Sequence, residues 1–199
     1  MEKITLIIVD PQYDFIEGGK LPVEGGKKAL DNVVKLLDSG KVGQVITTQD
    51  WHIGNHCSFK DFGGDFPEHC VENTFGAQIY EPIMTSIYNN NICWIDYYKG
   101  YNFEEFTAIK EVDHIYSDYI RFKMSTTRNS NYDLELCKEE NIVICGLAGD
   151  ICVLNTLKAI CPYIPVSVYL DGIASIDGGN MLKSFMENNN IKEYGPELA

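Results

Sequence analysis

The chain has 199 residues, 45% of them hydrophobic and 23% charged, a globular composition that excludes a disordered, collagen-like or coiled-coil protein. Sixteen Lys and Arg against 29 Asp and Glu leave a net charge of −13, a field that repels phosphate backbones and anionic bilayers, so neither nucleic acid nor a membrane is expected as a partner. No apolar stretch approaches the roughly 20 residues of a bilayer crossing. Seven scattered cysteines with no Cys-x-x-Cys pair suggest neither a disulfide framework nor a cysteine zinc cluster, so a cytoplasmic location is expected.

In chain order, residues 4–9 are the first aliphatic run that predicts a buried strand, followed by a helical period over 27–39 and a second strand at 44–48. Residues 51–77, rich in Gly, His, Phe and Pro, break the rhythm and read as a long loop that carries function or is held by a metal. A turn or helix end at Asn89–Asn91 precedes strands at 92–95, 114–117 and 142–145. A helix over 152–160, a last strand at 166–170 and a turn at Asn188–Asn190 follow. The strand runs are apolar on both faces and alternate with helices, which predicts a three-layer α/β/α fold with a mostly parallel central sheet, built as one domain over residues 1–199.

Ligands of such sheets bind outside the carboxyl ends of the strands. Asp10 ends the first strand, Asp50 and His52 follow the second, Lys99 follows the third, and Cys152 follows 142–145 across Gly146-Leu147-Ala148-Gly149. At the start of a helix, unpaired N–H groups and the helix dipole favour a thiolate over a thiol of ordinary pKa about 8.5. An ammonium at Lys99 lowers that value further and Asp10 is a base for the proton, giving a nucleophile, a base and an electrostatic partner. Local sequence also permits an inert core thiol at Cys152, a solvated Lys99 and a structural cap at Asp10. Cys93 and Cys145 lie in strand runs, Cys137 and Cys161 on helix segments or their ends, and all four read as packing.

The second constellation is Asp50-Trp51-His52-Ile53-Gly54-Asn55-His56 with His69 in Phe66-Pro67-Glu68-His69-Cys70. One carboxylate and three imidazoles suit a borderline divalent cation, Zn²⁺, Fe²⁺ or Mn²⁺, with positions left open for water or a ligand. Surface loop histidines are the alternative.

These residues resemble the isochorismatase-like cysteine hydrolases, and within them the nicotinamidase/pyrazinamidase branch. The likeness runs through nearly the whole chain: Val9-Asp10-Pro11-Gln12-Tyr13-Asp14-Phe15, Glu17-Gly18-Gly19-Lys20-Leu21, Thr48-Gln49-Asp50-Trp51-His52, His56, Ser58-Phe59, Phe66-Pro67-Glu68-His69-Cys70, Tyr98-Lys99-Gly100, Tyr116-Ser117 and Gly146-Leu147-Ala148-Gly149-Asp150-Ile151-Cys152-Val153. The resemblance implies Asp10, Lys99 and Cys152 as a catalytic triad and Asp50, His52, His56 and His69 as ligands of one divalent ion, most simply Zn²⁺. It also implies a cis peptide at Leu147–Ala148 that turns the N–H groups of Ala148 and Cys152 into an oxyanion hole. The implied reaction is hydrolysis of nicotinamide to nicotinate and ammonia through a cysteine thioester, in NAD salvage, with pyrazinamide also accepted. The ring nitrogen would meet the metal and Phe15, Phe66 and Tyr101 the ring faces.

Tyr13, Gly149 and Phe66 depart from the Asn, Thr and Trp common in the family, and Gly149 is expected to loosen the turn that holds the oxyanion donors. The segment 122–132 is unlike the relatives. A related hydrolase acting on another small amide or N-carbamoyl compound, and a catalytically silent metal-binding homologue, stand as alternatives. A homo-oligomer is left open.

Overall fold

A computed structural model describes residues 3–99, 107–108, 119–124, 132–137 and 141–195, with 97–99 and the strands between 107 and 137 described by their backbone. Strand β1, Ile4–Val9, is buried along its whole length, as its two apolar faces require. Helix α1, Gly26–Asp38, turns Ala29, Leu30, Val33, Leu36 and Leu37 inward. Strands β2 (Val42–Asp50) and β3 (Cys93–Lys99) flank helix α2 (Glu81–Asn89), whose start is marked by a proline in its first turn. Strands β4 (Thr107–Ala108), β5 (Tyr119–Met124) and β6 (Tyr132–Cys137) follow, then β7 (Ile142–Gly146), α3 (Leu154–Ile160), β8 (Val166–Ile173), α4 (Asn180–Asn188) and β9 (Lys192–Glu193).

The main sheet runs β3-β2-β1-β7-β8-β9, and every pairing in it is parallel. Chain order reverses between β1 and β7, the switch point at which an open α/β sheet forms its ligand crevice. Ile4, Leu6, Ile8, Val45, Val143 and Cys145 pack under α1 and α2, and Ile7, Val9, Ile46, Ile142, Ile144 and Val168 under α3 and α4. The result is the expected three-layer α/β/α fold. Leu30, Leu36 and Leu37 are fully buried, each contributing about 1.5–3 kcal/mol relative to an exposed side chain.

Several expectations change in detail. Strands β4, β5 and β6 form a small antiparallel sheet, which the search for two-faced apolar runs passes over. Its sequences, YIRFKM and YDLELC, alternate residue by residue instead. Cys137 therefore closes a strand and does not sit on a helix, and Cys93 is exposed at the start of β3 and not packed. The 114–117 strand lies outside the described residues. The asparagine clusters do end α2 and α4, with Asn91 and Asn190 at positive φ (49° and 54°), the left-handed conformation that stops a helix.

Candidate active site

Both sides of the switch point deliver reactive groups to one place. Asp10 follows β1 at φ 47° and is fully buried. Its backbone N–H donates to Thr48 O at 3.0 Å, and the Thr48 hydroxyl donates to Asp10 Oδ1 at 2.7 Å. Opposite it, β7 ends at Gly146 (φ 121°), where a Cβ would stand 2.1 Å from Val9 O, so only glycine lets the strand ends approach this closely. The next peptide bond, Leu147–Ala148, is cis, as the resemblance implies. A π-turn over Gly149–Val153 then carries the half-buried Cys152, and α3 begins beyond it at Leu154, so the nucleophile candidate sits inside a turn and not on the first residue of a helix. The acidic oxygens of Asp10 and Asp50 and the thiol of Cys152 lie within 4.8 Å of one another.

Asp50 and Cys152 border a cavity of about 210 Å³, below the roughly 300 Å³ at which drug-sized pockets begin, and suited to one aromatic ring. Phe15 and Phe66 line it, together with His69 and Ala148. Leu21, Val23, Ile151, Asn155 and Ile176 also line it. They carry no chemistry of their own in the sequence, and only the fold reveals them. Lys99 is the last residue of β3, in register with Asp50. Tyr101 lies outside the described residues.

The loop 51–77 supplies the imidazoles. His52 Nε2 lies 3.5 Å and His69 Nε2 3.7 Å from Asp50 Oδ2, and the potential ligand atoms of the three buried residues fall within 4.8 Å of one another. His69 donates from Nδ1 to the Pro67 carbonyl (2.7 Å), which leaves Nε2 turned toward Asp50. His56 stacks on the His52 ring (centroids 4.5 Å, 21°) and pairs through Nδ1 with the Ser58 hydroxyl at 2.7 Å. The structure thus brings Asp50, His52 and His69 together and stacks His56 beside them. A buried carboxylate with converging imidazoles, each oriented by a second hydrogen bond in two of three cases, fits a borderline divalent cation.

Burial and the neighbouring His52 push the pKa of His56 down to about 4. Burial acts to lower that of His69 as well, but hydrogen bonds to Asp50 and to the Pro67 carbonyl outweigh it and leave it raised. Among the other thiols, burial pushes Cys70 and Cys145 well above the usual cysteine range, so both are inert packing.

Two of the departures from the family pattern, Gly149 and Tyr13, have physical accounts. A Cβ on Gly149 would stand 2.1 Å from Ser175 Oγ and 2.5 Å from Ile173 Cγ2. Gly149 is therefore packed against the segment after β8, to which its N–H also donates at Ala174 O (2.8 Å), and the turn is not loosened. Tyr13 turns away from the cavity, stacks on Phe75 at 4.2 Å and accepts the Glu81 N–H at the start of α2.

Fold and site together resemble those of the isochorismatase-like hydrolases. No protein-family profile matches the chain. It is similar to the nicotinamidase of Escherichia coli K12, 29% identical over 191 residues that cover 87% of this chain and 84% of that one. Its fold matches the zinc complex of the pyrazinamidase of Pyrococcus horikoshii (TM-score 0.66, 24% identity, 98% and 99% of the two chains). It matches equally PnC1 of L. infantum in complex with nicotinate (TM-score 0.69, 24% identity, 96% and 92%). Nicotinamidases and pyrazinamidases are thus what the chain is similar to.

Proposed function

We propose that residues 1–199 act as one cytoplasmic hydrolase domain that converts nicotinamide to nicotinate and ammonia, with pyrazinamide as a second substrate, in the salvage of pyridine nucleotides. The observation that carries the reading is the convergence of Cys152, Asp10 and Asp50 within 4.8 Å, beside a small, largely apolar cavity that Cys152, Asp50 and His69 border.

In the proposed reaction Asp10 takes the Cys152 proton, and the thiolate attacks the carboxamide carbon. The Ala148 and Cys152 backbone N–H groups hold the tetrahedral oxyanion, and Lys99 balances the buried negative charge from the end of β3. Asp10 then delivers its proton to the amide nitrogen, the C–N bond breaks and ammonia leaves a thioester. Water, deprotonated by the same carboxylate, attacks that carbon, and nicotinate departs as the Cys152 sulfur is released and reprotonated. Asp50, His52, His56 and His69 would hold the divalent ion. The chemistry such an ion, Zn²⁺ in the simplest case, supplies there is Lewis acidity toward a ring nitrogen, which selects aza-aromatic amides. Phe15 and Phe66, with Tyr101, hold the ring faces.

The test is ammonia release from nicotinamide by the purified protein, beside chelator-treated, zinc-restored and Cys152→Ala samples. Activity that vanishes with chelator, returns with zinc and is absent from the variant is expected. A Cys152→Ala protein active near the parent rate removes the nucleophile assignment. Zinc-loaded protein inert toward nicotinamide moves the assignment to another small amide or to a silent homologue.

A further inference from the structure

We propose that Gln12 is a positioning residue that couples the acid–base half of the site to its metal half, by gripping the backbone of Asp50. The inference rests on the reading above. Asp50 is the one residue shared by the Asp50–His52–His69 group and the Asp10–Asp50–Cys152 group. Whatever sets its position sets both.

The β1–β2 ladder ends at Val9 and Thr48, because the chain turns aside at Asp10. Two residues further on, Asp50 is still in register with Lys99 of β3, but the β1 ladder no longer reaches it. A backbone N–H and C=O buried at that point need partners. Gln12, itself fully buried and extended (φ −103°, ψ 155°), supplies them from its side chain. Its Oε1 accepts the Asp50 N–H at 2.8 Å, and its Nε2 donates to the Asp50 carbonyl at 2.7 Å. The carboxamide thus stands in for the missing rung of the ladder. The second Nε2 hydrogen goes to the Ala77 carbonyl at 2.8 Å, which closes the far end of the histidine loop onto the same group.

This pattern asks for an amide. A carboxylate at position 12 would set an oxygen against two buried carbonyls, and a thioether would leave the Asp50 N–H and both carbonyls without partners. The Thr48 hydroxyl works in the opposite direction, from β2 to Asp10. The base on β1 is thereby fixed by a residue of β2, and the ligand on β2 by a residue that follows β1.

The experiment measures the Zn²⁺ dissociation constant of the full chain by competition with a chromophoric chelator, alongside the thermal midpoint, for the parent, Gln12→Met, Gln12→Glu and Tyr80→Phe. Tyr80→Phe removes a hydrogen bond to Asp31 (2.9 Å) outside the site and serves as a control for destabilisation alone. Both Gln12 variants are expected to bind zinc at least about tenfold more weakly, the usual scale for groups behind a ligand, while Tyr80→Phe lowers the thermal midpoint and leaves zinc binding unchanged. Folded Gln12 variants with the parent's zinc affinity overturn the proposal and leave the functional reading standing. So does an equal loss in Tyr80→Phe, or failure of both Gln12 variants to fold. A parent chain that binds no zinc overturns the functional reading along with it.

Discussion

Gly149 is the position at which the family pattern and this structure give opposite advice. Restoring a side chain there follows the relatives, yet the space is taken by Ser175 Oγ and Ile173 Cγ2 at 2.1 and 2.5 Å from the added Cβ. Gly149 has no left-handed φ, so Gly149→Ala gains about 0.4–1 kcal/mol from a stiffer unfolded chain. Against this stands overpacking, about 1–3 kcal/mol in a close-packed interior. The serine hydroxyl can rotate away, but the Ile173 methyl is stiff at a β-branched carbon, so the upper half of that range applies. The net loss is about 1–2.6 kcal/mol, which lowers the thermal midpoint by about 2–10 °C in a chain of this size. Displacing Ser175 also moves its neighbour Ile176, whose side chain lines the cavity, so KM for nicotinamide rises. Gly149→Thr is worse, and Ser175→Ala beside Gly149→Ala recovers part of the loss, a coupling that a double-mutant cycle reads directly. Calorimetry and steady-state kinetics on the set are the assay. A Gly149→Ala protein as stable and as active as the parent refutes the packing argument.

Thr48→Val removes a buried hydrogen bond to the Asp10 carboxylate. Such charge-assisted bonds contribute about 1.5–3 kcal/mol, so the acidic limb of the kcat/KM profile moves about one to two pH units toward neutrality, while Thr48→Ser keeps the limb in place; equal shifts in both variants contradict the assignment. In metal-free protein the depressed His56 (about 4 folded, 6.5 as the ordinary value) costs stability as pH falls through that interval, because the unfolded chain binds a proton the folded one refuses. The raised His69 works the other way, its contribution intact below the ordinary value and fading as pH climbs through the folded one. Stability with chelator present therefore peaks near pH 6.5 (roughly the unperturbed histidine value), and urea midpoints that keep rising down to pH 4 would deny it. Native-state alkylation modifies Cys152 and the exposed Cys57 and Cys93 but spares Cys70 and Cys145 until the chain unfolds, as peptide mapping of the labelled protein will show.

What could be read from sequence, and what could not, divides by the range of the interaction involved. Strands β1, β2 and β7 and helix α1 announce themselves because burial on two faces or one leaves a periodic trace in neighbouring residues, and Asp10, Asp50, Lys99 and Cys152 are legible because they fall at or shortly after the carboxyl ends of strands. The short helices α2 and α4, nine residues each, offer barely two turns of period, and β5 and β6 follow an alternating rule to which the rest of the sheet is blind. The cavity wall is harder still. Leu21 and Val23, Asn155 and Ile176 come from three separate stretches of chain, and nothing local distinguishes them from any other aliphatic or polar residue. Gln12 shows the limit most clearly: it stands in the quoted motif two residues after Asp10, yet its use depends on where the β1 ladder stops relative to Asp50, 38 positions away. Gly149 reads as a loss for the same reason, since only the folded chain brings Ser175 and Ile173 into the space a threonine would fill. A site residue is visible in one sequence when its own chemistry is reactive, and hidden when its task is to hold the backbone of another.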